Sequence, residues 1–264
     1  MNILMLKSIV SAAILAPAIL AAASADSGRA VRLTVVFNNE VADSTLASSW
    51  GFACLIRGYG KTILFDTGGN GDTLLMNMRS MGLDPRSVQI VALSHEHEDH
   101  TDGLPAFLEA NPQVEIFMPG AFPDKIKDTS AKAAKVNLVR GPVEICGGVR
   151  STGELGDKTI EQALCLRTPR GLIVLTGCAH PGVQKIVAAA KEQTGEEIYM
   201  VGGGFHLGEA DPAEIERVVA GLKALGVKKI APTHCTGDKA VAALRAAWGD
   251  SIVRLDLGTD LIVE

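Results

Sequence analysis

Short apolar runs recur along this chain at intervals too close for helices alone, and they set its first reading. Val31–Phe37, Phe52–Arg57, Thr62–Phe65, Val88–Leu93, Val114–Met118 and Val136–Val139 are rich in Val, Ile, Leu and Phe. So are Ala163–Thr168, Leu172–Thr176, Ile198–Val201, Lys229–Ala231, Ile252–Leu255 and Leu261–Val263. Such β-branched and aliphatic runs predict buried strands. Between them lie helical stretches at Asp72–Met81, Leu104–Glu109, Val183–Gln193, Pro212–Leu225 and Asp238–Trp248. The last three carry apolar residues at i, i+3, i+4 spacing, and Pro212 after Asp211 suits a first helical turn. Pro169-Arg170-Gly171 reads as a hairpin turn, and the polar segment Asp124–Lys135 as a surface helix or loop. Strands alternating with helices predict an α/β protein, with strand-rich halves and chemistry on the loops that follow strand ends.

The N-terminus breaks this pattern. Lys7 precedes an apolar stretch, Ser8 to Ala22, and Ala23-Ser24-Ala25 is a small-x-small cleavage signal. Residues 1–25 are therefore expected to be a secretory signal peptide, leaving 26–264 as one domain, secreted or periplasmic and with no stable membrane anchor. The stretch is short for a span and contains Pro17.

Charge narrows the partners. The chain of 264 residues has 25 Lys+Arg against 30 Asp+Glu, a formal net charge of −5. With no basic cluster, nucleic acid is not an expected partner, and neither is an anionic membrane surface. A small-molecule substrate is. The 5 cysteines are Cys54, Cys146, Cys165, Cys178 and Cys235. An odd number without a CxxC is no disulfide scaffold. Cys54 and Cys165 lie in strand-like runs as small hydrophobes. Cys178 and Cys235 each lie near a histidine.

The chemistry concentrates in Ser94-His95-Glu96-His97-Glu98-Asp99-His100. Three imidazoles and several carboxylates packed this tightly are electrostatically awkward unless a cation organises them. His95 and His97, at i and i+2, suit one metal; Asp99 and His100, displaced by a turn into a helix, suit a second. Two metals need more protein groups than these four, and the other histidines, His180, His206 and His234, each follow a strand-like run. His206 is a ligand, a substrate contact or a core histidine.

Preceded by a strand and followed by Gly103-Leu104, the His95-x-His97-x-Asp99-His100 run resembles the signature of the metallo-β-lactamase-fold superfamily. Leu64-Phe65-Asp66-Thr67-Gly68 resembles its first motif. Thr176-Gly177-Cys178-Ala179-His180, Gly203-Gly204-Phe205-His206-Leu207 and Pro232-Thr233-His234-Cys235-Thr236-Gly237 resemble the later motifs of the branch that holds the archaeal 7,8-dihydropterin-6-methyl-4-(β-D-ribofuranosyl)aminobenzene-5′-phosphate synthase. The resemblance implies a four-layer αββα sandwich, two mixed β-sheets face to face with helices outside. It implies two divalent ions, His95, His97 and His180 at one and Asp99, His100 and His234 at the other. Zn²⁺ is expected, with Fe or Mn as alternatives. Oxygen-reducing diiron relatives carry a carboxylate where His97 stands, which favours zinc. Asp66 is implied as a carboxylate that orients the histidine loop. Cys178 falls where a bridging carboxylate usually stands; it is either a metal-binding thiolate or a neighbour of the ligands.

The function these residues predict is an exported hydrolase in which a hydroxide held by a binuclear centre attacks an ester, lactone, amide or phosphoester, with Asp99 holding the nucleophile's hydrogen. The alternatives are a pterin-related transferase and a non-catalytic metal-binding protein. Oligomeric state has no sequence signal.

Overall fold

A computed structural model describes residues 30–264; the expected signal segment lies outside the described residues. In the first half, strands β1 (Val31–Asn38), β2 (Phe52–Arg57) and β3 (Ile63–Phe65) lead into helix α1 (Gly71–Ser80). They are followed by β4 (Ile90–Ala92), α2 (Glu98–Thr101), α3 (Leu104–Ala110), β5 (Glu115–Pro119), α4 (Asp124–Ser130) and β6 (Lys135–Val139). The second half starts with β7 (Val143–Cys146), β8 (Val149–Ser151), β9 (Leu164–Thr168) and β10 (Gly171–Thr176). It continues through α5 (Val183–Thr194), β11 (Ile198–Gly204), α6 (Pro212–Ala224), β12 (Lys229–Thr233), α7 (Asp238–Trp248) and β13 (Asp260–Val263).

The strands form two sheets, a seven-stranded one ordered β13-β1-β2-β3-β4-β5-β6 and a six-stranded one ordered β12-β11-β10-β9-β8-β7. Each is mixed. In the first, β1 pairs antiparallel with β2 and β13, whereas β3, β4, β5 and β6 run parallel; in the second, β10, β11 and β12 run parallel and β9 returns antiparallel to β10.

Side chains alternating across the strands feed three separate cores. Leu33, Phe52, Cys54, Ile56, Ile173 and Leu175 fill the space between the sheets. The intervening Ala53 and Leu55 face the other way, onto Leu74 and Met78 of α1 and Phe107 of α3. Leu172 and Val174 face α5, α6 and α7 through Ile186, Leu222 and Leu244. Three apolar layers between four sets of elements make a helix–sheet–sheet–helix sandwich, because each sheet must bury both faces. Caps fix the helix starts: Asn70 accepts from the Thr73 amide ahead of α1, and Asp211 from the Glu214 amide ahead of α6, with Pro212 in the first turn.

Three elements differ from the pattern along the chain. The run Ile252–Leu255 is not a strand. It makes one bridge, Ile230 with Ile252, and of its residues only Leu255 is buried; the Leu255 carbonyl accepts from the Asn38 side chain rather than from a ladder. The hairpin β7–β8 was not expected, since Glu144 and Arg150 break its apolar pattern. Its turn at Gly147-Gly148 was the available signal. The segment 124–135 divides into α4 and the start of β6.

Candidate functional site

The loops after β3, β4, β10, β11 and β12 open on one edge of the sandwich, and they carry Asp66, His95, Cys178, His206 and His234 respectively. Among the described residues, four non-glycine residues adopt left-handed backbone, and all lie on this edge: Asp66 (φ 60°), Ala179 (φ 60°), His206 (φ 51°) and His234 (φ 56°). Each costs about 1–2 kcal/mol relative to ordinary backbone. The surrounding strands hold these turns because the side chains must project off strand ends into one space.

Asp66 is the hub of the histidine loop. Fully buried, it accepts from the Ser94 amide (2.6 Å), from Ser94 Oγ (2.7 Å) and from His100 Nδ1 (2.7 Å). Since Ser94 Oγ donates to Asp66, the 2.9 Å contact with His95 Nδ1 makes that nitrogen the donor to Oγ. Thr67 grips α2 from behind, its amide and hydroxyl both donating to the His100 carbonyl at 2.9 Å. A Cβ on Gly177 would strike Ser94 Oγ, so only glycine lets the β10 loop pass this close.

The structure brings His95, His97 and His180 into one group and Asp99, His100, Cys178 and His234 into another; within each, the candidate ligand atoms lie within 4.8 Å of one another. The groups adjoin, with the His95 and His100 rings 4.2 Å apart. In the first, ring centroids are 4.7 Å apart for His95–His97, 4.8 Å for His95–His180 and 4.6 Å for His97–His180. His95 Nε2 and His180 Nε2 are buried without a hydrogen-bond partner. Burial, helped by neighbouring imidazoles, holds His95 well below the usual histidine pKa and His180 down at about 3. Both rings are therefore held neutral, and His95, with its Nδ1–H donating to Ser94, leaves Nε2 as a bare acceptor.

The second group holds a sharper conflict. His100 commits its Nδ1 proton to Asp66, and His234 commits its own to Asn39 Oδ1 at 2.6 Å. Their Nε2 atoms nevertheless face each other at 3.2 Å. Cys178 Sγ is 3.2 Å from His100 Nε2, and Asp99 Oδ2 is 3.2 Å from His234 Nε2 and 3.6 Å from His100 Nε2. One proton can bridge one of these contacts; a cation relieves all of them. Burial alone would raise Asp99, but its hydrogen bond to His234 and the His100 charge bring it down to about 2. Burial alone would lower His100, but the carboxylates around it, Asp66 foremost and then Asp99 and Glu161, together raise it. The donor sets fit divalent metal, three imidazoles in the first group and two imidazoles, a carboxylate and a thiol in the second.

Cys178 therefore groups with Asp99, His100 and His234 and not with the three histidines. His206 is exposed and is no core residue; its ring lies 4.2 Å from that of His180, beside a cavity of about 230 Å³ lined also by Gln184, Phe205 and Arg217. Together with Cys178 and Cys235 it makes a third group of candidate ligands.

Sequence reasoning missed several functional positions. Glu161, fully buried, takes the amides of Gly177, Cys178 (3.1 Å each) and Ala179 (2.9 Å) on one oxygen and that of His180 (2.9 Å) on the other. Burial pushes its carboxyl up to about 7 against the pull of those amides. The adjoining Gln162 donates through Nε2 to the carbonyls of Leu93 (2.8 Å) and Phe117 (3.1 Å), beside the histidine loop. A lone carboxylate inside the run Ile160-Glu161-Gln162-Ala163-Leu164 was the only sequence signal. Asn39 and Trp50 were also missed; the Trp50 ring is 57% exposed and lies 4.8 Å from that of His234.

The model of the metallo-beta-lactamase superfamily matches residues 51–234, from the loop before β2 to the last histidine of the site. The chain belongs to this superfamily. Its relatives include the 7,8-dihydropterin-6-methyl-4-(beta-D-ribofuranosyl)-aminobenzene-5′-phosphate synthase of Methanocaldococcus jannaschii, 31% identical over 82% of this chain and 90% of the relative. Among solved metallo-beta-lactamase structures, Tm1679, described as a metal-dependent hydrolase of the beta-lactamase superfamily, aligns with a TM-score of 0.76 at 27% identity. That alignment covers 89% of this chain and 99% of the other. The Bacillus subtilis protein YhfI shares the fold, with a TM-score of 0.64 at 13% identity over 89% of this chain and 100% of its own.

Proposed function

We propose that this metallo-beta-lactamase-fold protein is a metal-dependent hydrolase of small molecules that works through two divalent cations. His95, His97 and His180 would hold one; Asp99, His100, Cys178 and His234 would hold the other. The observation that carries the reading is the 3.2 Å approach of His100 Nε2 and His234 Nε2, two rings whose Nδ1 protons are already committed elsewhere. Zinc suits the imidazole, carboxylate and thiolate donors. Cations at such a site supply a water whose pKa falls to near 7, and hence a nucleophile at neutral pH for an ester, lactone, amide or phosphoester.

The chain's own residues do the rest. Asp66, Ser94 and Asn39 fix the tautomers of His100, His95 and His234, so that each presents Nε2. Asp99, ionised at neutral pH, orients the nucleophile by accepting its hydrogen bond. His206, exposed beside the cavity at His180, meets the substrate. Support for an exported location comes from the sequence of residues 1–25 alone.

A second reading is a pterin-related transferase. The 31% match to the archaeal synthase favours it, as does the exposed face of Trp50 beside His234, which offers a stacking surface for a planar heterocycle. The test is to strip the protein with chelator, reconstitute it with Zn²⁺, Fe²⁺ or Mn²⁺, and assay a panel of esters, lactones and phosphodiesters. Hydrolysis restored by metal and lost in a His95→Ala, His97→Ala variant supports the hydrolase. Full activity of that variant overturns it. No hydrolysis together with tight binding of reduced pterins moves the assignment to the transferase. Two ions bound with neither activity leaves a metal-binding protein.

A further inference from the structure

Cys235 and His206 belong to neither cation group, yet they converge on a residue that does. Cys178 Sγ, His206 and Cys235 Sγ offer ligand atoms within 4.8 Å of one another. Cys235 Sγ also lies 3.8 Å from the Cys178 carbonyl. Three separate loops make this juxtaposition, those after β10, β11 and β12, and it requires close backbone contact. A Cβ on Gly204 would meet the Cys235 sulfur and the Cys178 Cα at 2.7 and 3.2 Å. His206 is one of the left-handed residues, so its ring is held toward the sulfurs at a backbone cost. All 5 cysteines are free, and the other three lie elsewhere: Cys54 and Cys165 are buried within strands, and Cys146 ends β7.

We infer that Cys178, His206 and Cys235 form a third cation site, thiolate-rich and selective for Zn²⁺, sharing the Cys178 sulfur with the Asp99–His100–His234 group. Two thiolates and one imidazole are a tetrahedral zinc set with one position left open. A sulfur with several lone pairs can serve two cations at once. Soft donors discriminate against Mg²⁺, Ca²⁺ and Mn²⁺, which the first histidine group does less strongly. Of the three residues, His206 also lines the cavity shared with His180 and Arg217. The inference shares Cys178 with the two-cation reading and makes His206 a cation ligand instead of a substrate contact, but neither change alters the first two ions, so it can fail alone.

The test uses the full chain, reduced and metal-free, titrated with Zn²⁺ under a thiol reductant and measured for bound metal after gel filtration. Wild type is expected to retain three equivalents, and Cys235→Ser and His206→Asn two each. Cd²⁺ in place of Zn²⁺ gives a second readout that does not rely on variants. Wild type should show three ¹¹³Cd resonances, one at the chemical shift of a two-sulfur site. The thiolate-to-cadmium absorption should fall by about half in Cys235→Ser. Two equivalents in wild type and in Cys235→Ser, with no two-sulfur resonance, overturn the third site and leave the two-cation reading standing. Fewer than two equivalents in wild type sink that reading instead. A Cys178–Cys235 disulfide that persists under the reductant also overturns the inference, because it removes both thiolates.

Discussion

Glu161 holds His180 in place without touching its ring: the His180 amide donates to Glu161 Oε2 at 2.9 Å, while the other oxygen gathers the three preceding amides. One carboxylate thus sets the backbone of the whole Gly177–His180 turn, including the left-handed Ala179. Glu161→Gln keeps the size but turns one acceptor into a donor facing an N–H. We expect metal affinity at the three-histidine group to fall about 10- to 100-fold, and stability to drop by about 1–3 kcal/mol. Chelator competition and urea denaturation measure the two. Unchanged affinity with lowered stability would make Glu161 a purely structural residue.

Asp66 makes the same kind of prediction for the other group. Asp66→Asn retains an acceptor for the Ser94 amide but no longer favours the Nδ1–H tautomer of His100. Metal affinity or activity should fall about 10- to 100-fold. Asn39→Ala, which frees Nδ1 of His234, should cost less, because a water can replace a single neutral acceptor at a half-open rim. The order of the two effects, read by metal titration, is the check.

Acid should remove the stability that the neutral His180 imidazole contributes to the metal-free protein. His180 titrates near 3 in the fold against 6.5 for an ordinary histidine. The unfolded chain therefore takes up a proton that the folded chain refuses, and stability declines as pH drops from about 6.5 toward 3. Asp99, at about 2 instead of 3.8, adds a further decline below pH 3.8. Glu161 works the other way: raised from 4.5 to about 7, it binds its proton first in the fold and gains stability on acidification between those values. Thermal melts from pH 7 to 4 on wild type and His180→Asn separate the contributions. Relative to wild type, the variant should lose less stability, or gain more, as pH drops, and identical slopes would mean that the imidazole is not held neutral.

Trp50 bears on substrate and not on metal. Its ring is exposed beside His234 and makes no hydrogen bond to the site. Trp50→Ala should leave bound metal unchanged and raise KM for planar substrates, by the about 1 kcal/mol that an aromatic contact contributes beyond burial, or roughly fivefold. An unchanged KM with a lowered kcat would place the ring in the chemistry instead.

Much of this architecture was legible along the chain. The β10 run Leu172–Thr176 and the helical spacing of α5, α6 and α7 read directly as buried strand and amphipathic helix, because each satisfies a single period. The β7–β8 hairpin did not, since β7 is an edge strand with polar positions and β8 is only 3 residues long, too few apolar residues to register. Ile252–Leu255 misled for the opposite reason: it is apolar because it packs over β12, not because it joins a ladder. At the site, His95, His97, Asp99 and His100 stood out through local density. Grouping His180 and His234 with them rested on the family's motifs, because chain proximity carries no information about contacts 134 residues apart, such as His100 with His234. Glu161, Asn39 and Trp50 were illegible because a single polar or aromatic residue at a strand end looks like any turn.

Glu161 and Gln162 are neighbours, joined by one peptide bond, yet one fastens the turn that carries Cys178 and His180 and the other the strand end that carries His95. The gap across the sandwich is therefore gauged by covalent geometry before any ion arrives. Loading should demand little rearrangement, so that the entropy of organising the donors is spent during folding and the empty and filled proteins superpose.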